Sequence, residues 1–457
     1  MGKAKAAFEH YCQAEGCGWA STKWSGFCPR CGSHEIGQRP VAALSGSRPR
    51  AESGVLSVPA CDIEPVEADA KLSTGVDELD RCLTGGLTPG GVLLLAGDPG
   101  IGKSTLALQT AARPGGWDGG CLYASSEESR EQVAGRLTRL CPSPPAGLLI
   151  GSDTQIDAII AEANRVRPAL LVVDSISMLT GAGSDAAAGS PNQIKEAANK
   201  VIEFAKGTGA AALIVGHRTK ADLVAGPMSL AHAVDQTATV TGDPAHDLRM
   251  LRILKNRFGP ADTVGLFEMT ADGMVGVSDP SSVLLAELDL TVPGVAVAAV
   301  LEGRRAMLIE TQALTAPSQM TTPRRAATGL DTARLHLLLA VLERRARIPT
   351  SSLEVYAQAV GGLRVEDQAV DLAVLVAVAS AATDRPVRPG TAVAGEVGLA
   401  GQVRSVAGLD RRLDEVASAG GFSRLVTRCG TRAVDPPDGV EVVHVETVTA
   451  AIDAALT

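Results

Sequence analysis

Eight consecutive residues, Gly97-Asp98-Pro99-Gly100-Ile101-Gly102-Lys103-Ser104, constrain this chain more than any other stretch, because they satisfy G-x-x-x-x-G-K-[ST] at every fixed position. An apolar run, VLLLA, leads into them and a helical pattern, STLALQTAA, leads out. Strand, glycine-rich turn and helix in that order aim backbone N–H groups and the positive end of a helix at one point, which makes a phosphate cradle. Gly97 to Thr105 are the expected nucleotide-binding residues. Lys103 is expected on the β- and γ-phosphates and the Ser104 hydroxyl on Mg²⁺.

Two carboxylate positions extend the cradle. Leu170-Leu171-Val172-Val173-Asp174 is an apolar strand ending in an acid, the arrangement that holds Mg²⁺ opposite such a loop, so Asp174 is assigned to the metal. Between the two, Leu122-Tyr123-Ala124-Ser125-Ser126-Glu127-Glu128-Ser129 runs from a strand into paired glutamates. Hydrolysis needs a carboxylate within hydrogen-bond reach of the attacking water. Glu127 is the first choice for that role, and Glu128 the other candidate.

The surrounding pattern gives the fold class. Between Gly91 and Val277 the runs VLLLAG, CLYAS, LLVVDS and ALIVGH alternate with helical segments, as βα units around a parallel sheet do. With 457 residues about three domains are expected. The reading is an α/β chain divided into a cysteine module at 1–37, a Pro/Ser/Ala-rich linker at 38–70, an ATPase domain at 71–278 and an α+β domain at 279–457. Within the last, Arg324-Arg325 and their Thr/Pro/Ala neighbours read as an exposed loop. The net charge is −9, so any nucleic-acid contact has to come from local basic loops. The longest apolar stretch, residues 372–382, is too short to span a membrane.

Cys12, Cys17, Cys28 and Cys31 form two close pairs separated by ten residues, the spacing of two knuckles around one tetrahedral metal. The expectation is a closed, structural Zn²⁺ site in a reducing cytoplasm. Metal binding then supplies most of the folding free energy of a module too short for a core of its own. Trp19 and Trp24 are expected as core around the zinc loop rather than as base-stacking platforms, with Lys23 and Arg30 nearby leaving DNA contact open.

Taken together, the middle of the chain resembles the RecA-like ATPases and, more narrowly, the bacterial RadA (Sms) family of DNA-repair ATPases. The likeness rests on the phosphate loop, on Gly216-His217-Arg218-Thr219-Lys220, on Ala225-Gly226-Pro227 and above all on Lys255-Asn256-Arg257-Phe258-Gly259. It implies ATP as the nucleotide and a homo-hexameric ring around single-stranded or branched DNA. It implies ATP hydrolysis between subunits, branch migration of recombination intermediates and a RecA-type recombinase as partner. Lys255 and Arg257, two residues apart, point the same way in an extended segment and are candidates to clamp a γ-phosphate, a neighbour's included. His217 is the candidate sensor. The segments 180–193 and 218–228 are expected to face DNA, the second through Arg218 and Lys220, and with so few aromatics to track its backbone rather than stack on its bases.

The last domain resembles the Lon protease domain through Gly395-Glu396-Val397-Gly398-Leu399-Ala400-Gly401-Gln402-Val403-Arg404. By the matching pattern Ala369 stands where the nucleophilic serine belongs and Asp410 where the lysine belongs. A methyl group cannot attack a carbonyl, so no protease activity is expected. Arg404, Arg411 and Arg412 are candidates for added DNA-binding surface. The alternative to a DNA-dependent motor is a nucleotide-gated adaptor, in which ATP controls assembly without translocation.

Overall fold

A computed structural model describes residues 8–14, 17, 19–21, 23–40, 71–181, 189–217, 227–242, 247–362, 364–430 and 434–457. The chain forms two compact units, Met1–Val66 and Glu67–Thr457.

The first unit carries a three-stranded antiparallel sheet, β2-β1-β3, made of β1 (Phe8–Cys12), β2 (Ala20–Ser21) and β3 (Ile36–Pro40). Strand β3 runs three residues past the boundary expected at residue 37. Its core is three buried cysteines, Cys12, Cys17 and Cys28, with Ala14, Trp19 and Ile36 packed against them. Trp19 is part of the core as expected. Trp24 is not: it stands 71% exposed, and among the described residues the stretch from β2 to Cys28 has neither strand nor helix to cover it.

The second unit begins with α1 (Asp77–Cys82), β4 (Val92–Gly97), α2 (Lys103–Ala111), β5 (Cys121–Ser125), α3 (Arg130–Leu140), β6 (Leu148–Ser152), α4 (Ile156–Val166) and β7 (Leu170–Asp174). It continues with α5 (Pro191–Thr208), β8 (Ala211–Val215), α6 (Pro227–Ala233), β9 (Gln236–Thr241), β10 (Leu248–Asn256), β11 (Val264–Thr270) and β12 (Gly273–Val277). These strands make one sheet in the order β12-β11-β10-β9-β4-β8-β7-β5-β6. The six from β9 to β6 are parallel, and β10, β11 and β12 add an antiparallel wing. Strands β4, β5, β7 and β8 are buried along their whole length. Helices cover both faces, α1 to α3 on one and α4 to α6 on the other, which is why these strands read as unbroken apolar runs.

The second sheet follows α7 (Pro280–Leu284). Its elements are β13 (Val295–Glu302), β14 (Arg305–Pro317), β15 (Arg325–Thr328), α8 (Thr332–Val341), β16 (Leu353–Ala359), α9 (Val370–Thr383) and β17 (Thr391–Ala394). A small ribbon of β18 (Glu396–Val397) and β19 (Val403–Arg404) precedes α10 (Leu409–Ser418), β20 (Arg424–Thr427), β21 (Glu441–His444) and α11 (Val448–Ala455). The order is β15-β16-β14-β13-β17-β20-β21. Helix α9 is buried from Val370 to Ser380. Among the described residues no helix is long and apolar enough to cross a membrane.

Two expectations for this region change. Arg325 opens strand β15, paired in parallel with β16, so it does not belong to a loop. Arg412 is 1% exposed and cannot face DNA. It lies on the inner face of α10 with Leu409, Leu413 and Val416, at the spacing of a buried helical stripe. Its guanidinium pairs with Asp367 at 2.8 Å and donates to Ala299 O and Ala407 O. Ala369 is fully buried ahead of α9, while Asp410 is exposed in the first turn of α10.

Candidate nucleotide and metal sites

Parallel strands end on one edge, and the register of this sheet aligns those ends. Ser125 pairs with Asp174, Asp174 with Val215, and Val215 with Leu95, two residues ahead of the phosphate loop. Residues just past β4, β5, β7 and β8 therefore share one edge, where ligands of open α/β sheets bind.

The loop after β4 is shaped by glycines. Gly102, the residue ahead of α2, has φ +111°, and a Cβ there would lie 2.5 Å from Met269 Cε and 2.8 Å from Met274 Sδ. A Cβ at Gly97 would lie 2.5 Å from Val240 O. Ile101 is buried in the core below and anchors the turn, while Asp98, Pro99 and Gly100 are exposed above it. Lys103 is buried and its Nζ donates to Gly97 O at 3.0 Å and Asp98 O at 2.8 Å. Burial lowers its pKa, and the carboxylates of Asp174, Asp98 and Glu127 act against that shift. A triphosphate would offer this ammonium stronger acceptors than neutral carbonyls.

Ser104 and Asp174, both assigned to Mg²⁺, are in contact: Ser104 Oγ donates to Asp174 Oδ1 at 3.1 Å. A hydroxyl and a carboxylate are the hard oxygen donors Mg²⁺ takes, with phosphates and water completing its shell. Thr105 follows in the same first turn of α2. The sequence reading missed Tyr123, whose O–H donates to the other carboxylate oxygen, Asp174 Oδ2. Its ring is fully buried in β5. A phenol inside a buried strand needs a polar partner, and that was the available signal. Tyr123→Phe is expected to raise the Mg²⁺ needed for half-maximal ATP turnover by roughly ten- to hundredfold, the value of one hydrogen bond to a charged group behind a metal ligand. An unchanged Mg²⁺ requirement would remove Tyr123 from the site.

The two glutamates part company. Glu127 accepts from the Ser175 hydroxyl and from His217 Nε2 at 3.1 Å. Burial raises its pKa, but the Ser175 and His217 hydrogen bonds and the charges of His217 and Lys103 outweigh that and hold it below the ordinary value. Glu128 turns to an ion pair with Arg136 on α3. Glu127 is thus the carboxylate that shares the edge with Lys103, and His217, two residues past β8, is tied directly to it.

Lys255 and Arg257 lie elsewhere. Lys255 Nζ donates to Ala231 O, His232 O and Val234 O at 2.9, 2.9 and 2.7 Å, at the end of α6. Arg257, half exposed, pairs with the buried Asp235 at 3.1 Å. Both lie near Asp235, at the far end of the sheet. Asn256 pairs with Gln236 and Gln236 with Leu93, whereas Gly97 pairs with Val240. Four residues of strand, about 13 Å, separate those levels.

Of the expected DNA-facing segments, Arg218 and Lys220 lie outside the described residues, as do 182–188. Gln193 belongs to α5 instead of a loop: it is buried and its Oε1 accepts from Gly181 N at 2.8 Å. Arg404 pairs with Glu396 at 3.3 Å across the β18–β19 ribbon.

In the first unit the Sγ atoms of Cys12, Cys17, Cys28 and Cys31 all lie within 4.8 Å of one another. Cys12–Cys31 and Cys17–Cys28 are each 3.5 Å apart. Four thiolates about 2.3 Å from one tetrahedral ion stand about 3.8 Å apart, so the set fits Zn²⁺ and has no open position for chemistry. Between Cys12 and Cys17, Cys17 N donates to Ala14 O at 3.1 Å, and Glu15 and Gly16 lie outside the described residues.

Residues 58–222 match a family described as AAA domain. The DNA repair protein RadA of Pseudomonas aeruginosa is 40% identical over 445 residues, covering 96% of this chain and 97% of its own. That of Mycolicibacterium smegmatis is 40% identical over 463 residues, 99% of this chain and 97% of its own. The Bacillus subtilis protein is 36% identical over 462 residues and the whole of both. A crystal structure of the RadB recombinase covers 45% of this chain with a TM-score of 0.37 at 21% identity, a distant likeness only.

Proposed function

The chain belongs to the family of the DNA repair protein RadA, and we propose that it is a DNA-dependent ATPase of recombination and repair. The observation that carries this reading is the gathering of Lys103, Ser104, Asp174 and Glu127 on one sheet edge. Lys103 would exchange its carbonyl partners for phosphate oxygens and neutralise the charge building on the leaving ADP. Mg²⁺, held by Ser104 and Asp174, would neutralise further phosphate charge. Glu127, ionised at neutral pH, would orient the attacking water and take its proton as the bond from the γ-phosphorus to the bridging oxygen breaks. His217 and Ser175, both on that carboxylate, would register whether the γ-phosphate is present.

The chain would act as a hexameric ring in the cytoplasm, with single-stranded or branched DNA in its channel and a RecA-type recombinase as partner. Arg218 and Lys220 are the proposed DNA contacts. Zn²⁺ would hold the cysteine module, and the Lon-like domain, with Ala369 and Asp410 in place of a nucleophile and base, would scaffold the ring. The distance of Lys255 and Arg257 from their own phosphate loop favours a role on a neighbour's γ-phosphate. Arg257→Ala is then expected to spare ATP binding and cut turnover by on the order of 10³-fold in the assembled ring. Full turnover in that variant would exclude the contact.

The test is ATP turnover with and without single-stranded DNA across a salt series. A motor is stimulated by DNA, and the stimulation fades with salt. Turnover indifferent to DNA would favour the adaptor.

A further inference from the structure

We infer that Trp24 and Phe27 form a base-stacking platform that gives the cysteine module a binding site for single-stranded nucleic acid. This rests on the DNA reading above and names the strand form and the surface that takes it. Trp24 is 71% and Phe27 54% exposed. The whole chain has only twelve aromatic residues, and large rings ordinarily contribute their area to a core. Two of them stand in water within four residues of each other.

The rings are held in place. Trp24 lies over Gly26, where an added Cβ would come 3.5 Å from its Cη2. Phe27 meets the His34 ring edge-on, with centroids 6.3 Å apart at 61°. The His34 ring is itself hydrogen-bonded to Gly26 O at 3.2 Å, and Ser25 Oγ donates to Phe27 O at 2.7 Å. Cys28, one of the four clustered thiols, follows at once. Order in an exposed ring reduces the entropy lost when a base settles on it.

Charge selects the occupant. Lys23 precedes Trp24 and is exposed. Arg30 follows Phe27, its guanidinium fixed by donation to Cys17 O at 2.8 Å. Residues 1–40 hold five Lys and Arg against three Glu, in a chain whose net charge is −9. Exposed rings flanked by cations, in the cationic part of an anionic chain, match a polyanion with unpaired bases: every base offers a π-face, and the backbone meets the cations. Duplex DNA offers no such face, since its bases are already stacked.

The test measures binding of full-length, zinc-loaded chain to labelled oligo-dT and to an abasic strand of equal length. Trp24→Ala is expected to weaken oligo-dT binding roughly tenfold or more, and Trp24→Phe to stay within about threefold of the unaltered chain. The abasic strand should bind Trp24→Ala and the unaltered chain alike, and the salt dependence should not change, because no charge is removed. If Trp24→Ala loses zinc, Phe27→Ala is read in its place with the same expectation. Equal affinity of the variants for oligo-dT would overturn the proposal, as would an equal loss on the abasic strand. Unchanged oligo-dT binding with altered sedimentation of the chain would assign the rings to a protein contact and overturn it too. If the unaltered chain binds neither strand, it is the DNA reading itself that fails.

Discussion

Lys103→Ala is expected to lower ATP turnover by on the order of 10²- to 10³-fold and to leave the fold intact. The size follows from the role proposed for the ammonium, a buried cation placed where charge would grow as the γ-phosphoryl group leaves. The intact fold follows from its partners. Lys103 Nζ is held by two carbonyls of its own loop, Gly97 O and Asp98 O, and, among the described residues, by no side chain across the core. Burial already works against its charge, so removing the ammonium relieves that opposition as it removes two hydrogen bonds. Melting of the variant should fall within a few degrees of the unaltered chain. Near-normal turnover in this variant would remove the loop from the mechanism.

Glu127→Gln separates binding from chemistry. The amide retains the size of the side chain and an oxygen for the Ser175 hydroxyl and His217 Nε2, both of which donate to Glu127. It cannot take a proton from water. Turnover should drop by about 10²- to 10⁴-fold while Mg·ATP stays bound. The pH profile carries a second mark of the same group. Despite burial, Ser175, His217 and Lys103 hold the carboxyl below its ordinary pKa. Its base form therefore persists to lower pH than a free glutamate's, and this contribution to turnover is lost only as pH falls through the lowered value. An acid limb above the ordinary carboxylate range would have to come from another group. Glu128→Gln, which breaks the ion pair with Arg136, should leave the chemical step unchanged.

What could be read ahead of the structure was what the chain writes contiguously. The phosphate loop is eight adjacent residues, and its strand and helix stand directly beside it. Strands β4, β5, β7 and β8 were legible because both their faces are covered, which removes polar residues from the run. The four cysteines were legible because metal geometry limits their spacing. Contacts set by distant partners were not. Tyr123 and Asp174 are 51 residues apart and meet only because β5 and β7 are neighbours. Arg412 looked like a surface cation, yet its partners Asp367, ahead of α9, and Ala299, on β13, are distant in sequence. Trp24 was expected to be covered, but among the described residues of so small a module no second layer covers it. Lys255 and Arg257 were read as a pair pointing the same way. Their distance from the phosphate loop became visible only from the antiparallel register of β10 on β9.

The claim beneath all of this is that the edge carrying Lys103, Ser104 and Asp174 grips a magnesium-bound triphosphate. Equilibrium binding of ATP to the full-length chain, titrated with Mg²⁺ and repeated in a chelator, addresses it most directly. Saturable binding of one nucleotide per chain that tightens as Mg²⁺ is added is the predicted result. Absence of binding, or binding indifferent to Mg²⁺, would contradict it.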